Sequence, residues 1–236
     1  MSAPVVFIAA DPRECAPWVA KWADLEIVPS PVHWMRKGIW FNRPMIAIAN
    51  GAGTGRAYAA AMQVPEPAQI WNIGFAGAAD PELRAGDIFV ADRVCADGQT
   101  FPCERPRARA PFRSGAVRTI QSVARTAREK RDHYESGASV LEMEAAGPAR
   151  AASELHVPFY CVRAISDLAA EDFANDFGSA LMPDGRFSPI RLVAGAMFSP
   201  RRFAELIRLQ KRTAAAAKNL GEFLAQCQFS SFQFLG

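Results

Sequence analysis

The chain has 236 residues, enough to bury one substantial core, and its 50% hydrophobic and 22% charged content is an ordinary globular balance. A formal net charge of +3 is too small to argue for nucleic acid as a partner. The chain opens without a basic, long-apolar leader, and no apolar run approaches the roughly 18–20 residues of a membrane span. A cytoplasmic protein without stable membrane insertion is therefore expected.

Taken in chain order, the first apolar run, "VVFIAA" (5–10), predicts a strand, with a helix following near 13–24. "MIAIAN" (45–50) predicts another strand and leads through "GAGTG" (51–55) into a helix near 54–63. That glycine spacing is neither a clean G-x-G-x-x-G nor a P-loop, so a tight turn is a sufficient reading. "IWNIGFAG" (70–77) and "DIFVAD" (87–92) predict two more strands. The Pro- and Arg-rich stretch 97–114 reads as a long solvated loop.

"SVLEMEAAGPARAA" (139–152) runs from an apolar lead-in to an Ala-rich helix, expected over 145–156. Proline is tolerated only in a first helical turn, so Pro148 puts the helix start near Ala145. Glu142, Met143 and Glu144 then sit at a strand-to-helix junction. Acids there suit the helix dipole, which is reason enough for them unless the rest of the chain supplies another. "PFYCVRAI" (158–165) predicts a further strand, and 201–226 predicts one long amphipathic helix.

The apolar runs are rich in β-branched and aromatic residues without clean alternation, as in strands covered on both faces. Their alternation with helices argues an α/β domain with a largely parallel central sheet. No linker divides the chain, so a single domain over 1–236 is expected, with a C-terminal helical extension from about 171. Ligands of open α/β sheets sit beyond the carboxyl ends of the strands. The polar residues there are Asp11, Arg13, Glu14, Asn50, Asp92, Glu142, Glu144, Ser166 and Asp167. Three histidines (His33, His133, His156) have no Cys/His cluster around them, and the five cysteines lack metal-ligand spacing. No metal and no organic cofactor are expected.

In this order, "FIAADPRE", "NGAGTGRAYAA", "IWNIGFAGAADPELRAGDIFVAD", "VLEMEAA" and "FYCVRAISD" resemble the purine nucleoside phosphorylase and nucleosidase superfamily. They look most like its methylthioadenosine/S-adenosylhomocysteine nucleosidase branch, over about residues 5 to 168. The resemblance implies a single three-layer α/β/α domain with a twisted mixed sheet, a purine nucleoside as substrate, and a homodimer. It also implies roles for individual residues. Glu144 would bind the ribose hydroxyls, with Glu142 beside it and Met143 packed against base and sugar. Asp167 would protonate the departing purine. Phe75 and Gly77 would lie near the ribose, and Val123 in the base-contacting segment.

Glu14 is the most discriminating position in that pattern. One branch of phosphorylases carries arginine there to hold phosphate, whereas nucleosidases carry a glutamate that deprotonates water. Arg13, next in the chain, keeps phosphate recruitment open. Two departures stand out: Phe75 replaces a serine of the classical turn, and Ala170 replaces a second acid after Asp167. The stretch 182–207, "MPDGRFSPIRLVAGAMFSPRRFAELI", resembles the subgroup known as hopanoid-associated phosphorylases, which act on adenosine bearing a large apolar 5′ substituent. The segment 182–200, with Phe75 and Met143, is accordingly expected to line the 5′ position.

The combined expectation is hydrolysis of the N-glycosidic bond of an adenine nucleoside modified at the 5′ position. Phosphate-dependent cleavage at the same site is the alternative, and a nucleoside-binding protein without turnover is the second. Retention of Glu14, Glu144 and Asp167 argues against the last.

Overall fold

The computed structural model describes residues 2–229. The chain begins β1 (Val5–Ala9), α1 (Pro12–Val19), β2 (Ala23–Ile27), β3 (Trp34–Trp40), β4 (Arg43–Ala49), α2 (Thr54–Ala61) and β5 (Gln69–Ala78). It continues through β6 (Ile88–Ala96), β7 (Gln99–Pro102), β8 (Arg113–Thr119), α3 (Ala127–Glu135), β9 (Val140–Glu142), α4 (Ala146–Leu155) and β10 (Phe159–Asp167). Three helices close the described chain: α5 (Phe177–Ala180), α6 (Pro189–Ala196) and α7 (Pro200–Leu224).

The strands form one mixed sheet. β1 lies between β4 and β5, parallel to both, and β3 and β2 extend this side antiparallel. On the other side β5 pairs with both β10 and β9, while β6 and β8 connect those two. The five strands β5, β10, β6, β8 and β9 thereby close on themselves, where an open and largely parallel sheet was expected from the apolar runs alone.

Burial on both faces explains why the strands do not alternate in polarity. Val6, Ile8 and Ile70 point to the side covered by α2 and α4. Val5, Phe7 and Trp71 point to the side covered by α1 and α7. The fold is thus α/β with helices on both faces of a mixed sheet.

α1 ends at Val19, shorter than expected, because β2 begins four residues later. The stretch 97–114 is not one long loop: β7 folds back on β6, and β8 begins at Arg113. The turn between β6 and β7 is Asp97-Gly98, with φ of 47° and 76°. Two positive φ values are what a two-residue hairpin loop requires, and Asp-Gly is a favoured pair for it. Phe41 and Asn42 make the same kind of turn between β3 and β4, with φ of 45° and 60°.

α4 begins at Ala146, close to the start that Pro148 predicted. In the "GAGTG" turn, Gly51 has φ of 85°, and a Cβ there would lie 2.5 Å from the Asp184 carbonyl oxygen. The glycine serves a sharp turn and a close backbone approach.

Candidate active site

The topology gathers the ends of β1, β5, β9 and β10. Just past β1, Asp11 caps α1, and Glu14 answers in a reciprocal capping box. Glu14 Oε2 accepts from the N–H groups of Ala10 and Asp11, both at 2.9 Å. Its Oε1 accepts from the Phe75 N–H at 2.8 Å, which ties the start of α1 to β5. Burial raises the pKa of the Glu14 carboxyl, while those amides and the Arg163 guanidinium pull it down.

Arg163 lies on β10 opposite Gly74 of β5. A Cβ on Gly74 would stand 2.8 Å from both Arg163 Nη1 and Glu14 Oε1, so only glycine leaves room for the two groups. The guanidinium is buried. Its Nη2 donates to Asn72 Oδ1 and, at 2.5 Å, to Glu142 Oε2. Glu142 Oε2 also accepts from the N–H groups of Glu144 (2.9 Å) and Ala145 (2.8 Å) at the entry to α4. Its Oε1 accepts from Thr119 Oγ1 at 2.5 Å, across the β8–β9 pairing.

Glu144 is buried next to this network. Its carboxyl is pushed up to about 8, by burial first and then by the charges of Glu142 and Glu14, against the pull of Arg163 and the Gly53 N–H. Three carboxylates therefore surround one guanidinium. The carboxyls of Glu14 and Glu144 are both raised above their ordinary values, with burial the first cause in each.

The second centre is at the end of β10. A bulge interrupts its pairing with β5 between Ile165 and Asp167, re-aiming the strand as bulges near active sites do. Asp167 Oδ2 accepts from Lys130 Nζ at 2.7 Å, and Oδ1 accepts from Ser166 Oγ at 2.9 Å. Lys130 comes from α3 and is buried. Its ammonium also donates to the carbonyls of Leu168 (2.8 Å) and Glu171 (3.3 Å) and sits 4.8 Å from the Phe173 ring centroid. A buried cation is tolerable only with such full satisfaction.

The family model of the phosphorylase superfamily matches residues 4–116 and 107–182, well over half of the chain. The chain belongs to the phosphorylase superfamily. It is an enzyme of the nucleosidase or phosphorylase type. No curated protein sequence matches it significantly.

Solved structures agree with the superfamily fold. An S-adenosylhomocysteine nucleosidase of Streptococcus pyogenes, in complex with 5-methylthiotubericidin, is 21% identical. It superposes with a TM-score of 0.71 over 95% of each chain. A 5′-methylthioadenosine/S-adenosylhomocysteine nucleosidase of Helicobacter pylori is 16% identical, with a TM-score of 0.71 over 94% of this chain and 96% of that one. The native futalosine hydrolase of Helicobacter pylori, also 16% identical, reaches 0.72 over 95% of this chain and 96% of that one. At these identities the likeness is one of fold.

The structure brings Glu14, Glu142 and Glu144 together and places Asp167 at a second centre. Gly77 pairs with Asp167 across β5 and β10, and a Cβ there would meet Asp167 Oδ2 at 2.7 Å, so its service is to make room. Phe75 contributes its N–H to Glu14, while its side chain packs on the apolar cluster under α1 and α7. Met143 is half-buried, and its carbonyl accepts from Thr54 Oγ1 at 3.5 Å.

Glu142 stays at the junction beside Glu144, with both oxygens accepting from protein donors: Thr119, the amides at the α4 entry and the buried guanidinium. Val123 lines a cleft of about 300 Å³ with Ser122, Ala124, Arg125, Glu129 and His133, and none of the four carboxylates borders that cleft. Arg13 turns outward: its Nε and Nη2 donate to Asp11 at 2.9 and 2.8 Å.

The segment 182–200 divides. Its first turn packs on "GAGTG", with the Ala52 N–H donating to the Gly185 carbonyl at 2.8 Å, while α6 beyond it is mostly exposed.

Arg163, Asn72, Thr119 and Lys130 were not anticipated. Arg163 did carry a signal, since a cation inside a strand covered on both faces must be paired. Lys130 carried none, lying in the plainly polar stretch "AREKRDHYE".

Proposed function

We propose that the chain hydrolyses the N-glycosidic bond of a purine nucleoside, with adenine as base and a modified 5′ position. Bond cleavage leaves an oxocarbenium-like ribosyl cation. A carboxylate cluster exceeding its counter-ion stabilises that charge more than it stabilises the neutral substrate. Glu144 binds the ribose hydroxyls. Asp167, paired with Lys130, delivers the proton to the departing base. Glu14 takes a proton from the attacking water.

The observation that supports water over phosphate is the fate of the cations. Among the described residues, Arg163 is the guanidinium of the cluster, and its Nη2 is bound to Asn72 and Glu142. Arg13 is paired with Asp11 and exposed. A phosphate dianion at Glu14 would meet further carboxylates, and the Arg163 guanidinium beside them is already engaged. The adenine and 5′ preference draws on the neighbours whose names carry 5′-methylthioadenosine and S-adenosylhomocysteine.

A panel of adenosine, inosine and 5′-methylthioadenosine, each with and without phosphate, tests this through release of free base. The expected result is phosphate-independent release, fastest from the 5′-thioether. Release only with phosphate makes the enzyme a phosphorylase, and tight binding without release makes the chain a nucleoside binder. A higher kcat/KM for unmodified adenosine or inosine removes the 5′ preference.

We also propose a homodimer. Ile27 on the edge strand β2 and Phe41 in the turn between β3 and β4 are exposed and supply apolar surface for it. Light scattering that reports a monomer at micromolar concentration removes this proposal.

A further inference from the structure

Ile190, Val193 and Met197 recur at helical spacing along α6 and its C-cap, and all three are exposed. Phe198 follows in the connection to α7, and Phe203 and Ile207 lie one turn apart near the start of α7. Phe198 is 91% exposed, Ile190 81% and Met197 65%. Single exposed apolar residues need no explanation, but a run of six on two packed helices does.

The charge around these residues has one sign. From Gly185 to Ala204 the chain carries Arg186, Arg191, Arg201 and Arg202 and no acid. Of the two flanking acids, Asp184 pairs with Arg186 at 2.6 Å. Glu205 is buried and accepts from the N–H groups of Ala174 and Asn175 at 2.9 and 2.8 Å. Arg191, Arg201 and Arg202 are left flanking the apolar run without an acid of their own.

We propose that this face, α6 with the first turns of α7, docks the protein peripherally on an anionic lipid bilayer. Large apolar side chains bordered by arginines are what an interfacial helix presents to lipid, with the chains below the headgroups and the guanidinium groups among the phosphates. A second copy related by a two-fold axis would instead bring arginines against arginines. Among the described residues no helix is long and apolar enough to cross a membrane, so the attachment is to one leaflet. The turn leading into α6 is tied to the turn that precedes α2: Arg56 Nη2 donates to the Pro183 carbonyl at 2.5 Å, and the Gly53 N–H acts on Glu144.

The test is co-sedimentation of the full chain with vesicles of phosphatidylcholine alone and of phosphatidylcholine with phosphatidylglycerol. Binding is expected to the anionic vesicles only, with release at high salt. Phe198→Asp with Ile190→Asp should abolish it. Arg191→Ala and Arg201→Ala should each weaken partitioning by about fivefold, as expected for one basic residue near an anionic surface. Circular dichroism melts confirm folding of each variant, and salt release of the unaltered chain provides a readout that needs no variant. The proposal is overturned if the unaltered chain stays in the supernatant, or if folded variants bind as it does. It is equally overturned if Phe198→Asp turns a larger species into a smaller one in vesicle-free light scattering, which makes the face a contact between copies.

Discussion

Around Arg163 three carboxylates share one guanidinium, whereas Asp167 has the Lys130 ammonium beside it. The first centre is short of positive charge and the second is balanced. In the first, Glu14 and Glu144 are pushed toward their protonated forms by burial, and Glu144 further by its carboxylate neighbours. A cation arriving at the sugar position relieves that repulsion. In the second, the ammonium stabilises the carboxylate that remains once the Asp167 carboxyl has given its proton to the base. Under the proposed hydrolysis the tasks divide in the same way: the first centre receives a charge that the reaction creates, and the second moves a proton.

Breaking each centre separately sharpens that contrast. The largest effects should come from the groups that handle protons. Asp167→Asn keeps the shape but removes the carboxyl, and turnover should fall on the order of 100- to 10,000-fold while nucleoside binding by calorimetry survives. Glu14→Gln should lose turnover on a similar scale, and added phosphate should not restore it.

Removal of the guanidinium should act on stability. Arg163→Gln leaves Glu142 and its neighbours buried without their cation, and breaking a buried pair in this way costs about 3–5 kcal/mol. Urea unfolding measures it, and a loss below about 1 kcal/mol would mean that the cluster is already relieved by protons. Lys130→Gln should leave KM close to its original value, lower kcat and displace the pH dependence of kcat, because the partner of the proton donor has changed. An unmoved pH profile would leave Lys130 a purely structural residue.

The last effect is a slope. A carboxyl whose folded pKa is raised contributes stability that is complete below its unfolded value and is lost as pH rises through the folded value. For Glu144 that window runs from 4.5 to about 8. The ligand-free protein should therefore lose stability with rising pH across the window more steeply than its Glu144→Gln variant. Parallel slopes in paired thermal melts would contradict the burial of an acid there.

Much of this was legible in the chain. The apolar runs marked β1, β4, β5, β6 and β10, and Pro148 located the start of α4, because an interior proline is so costly. Glu14, Glu144 and Asp167 were among the polar residues expected at strand ends, and the resemblance singled them out. β2 was missed because all five of its residues are exposed and no apolar pattern is required of them. β7 was missed because the arginines and prolines after it dominated the reading, although Asp97-Gly98 announced a hairpin. The companions of the site escaped for a different reason. Whether Lys130 is buried depends on where α3 packs, and nothing in its neighbours records that. Glu142 was expected beside Glu144, but its partners Arg163 and Thr119 come from other strands and were not.

The charge deficit around Arg163 can be probed without turnover. Calorimetry would compare two analogues of one adenine nucleoside, a pyrrolidine carrying a positive charge in place of the ribose ring and its neutral carbocyclic counterpart. The unbalanced cluster predicts much tighter binding of the cation, with the advantage shrinking in Glu144→Gln. Equal affinities, or a preference for the neutral analogue, would contradict a sugar site built to receive positive charge.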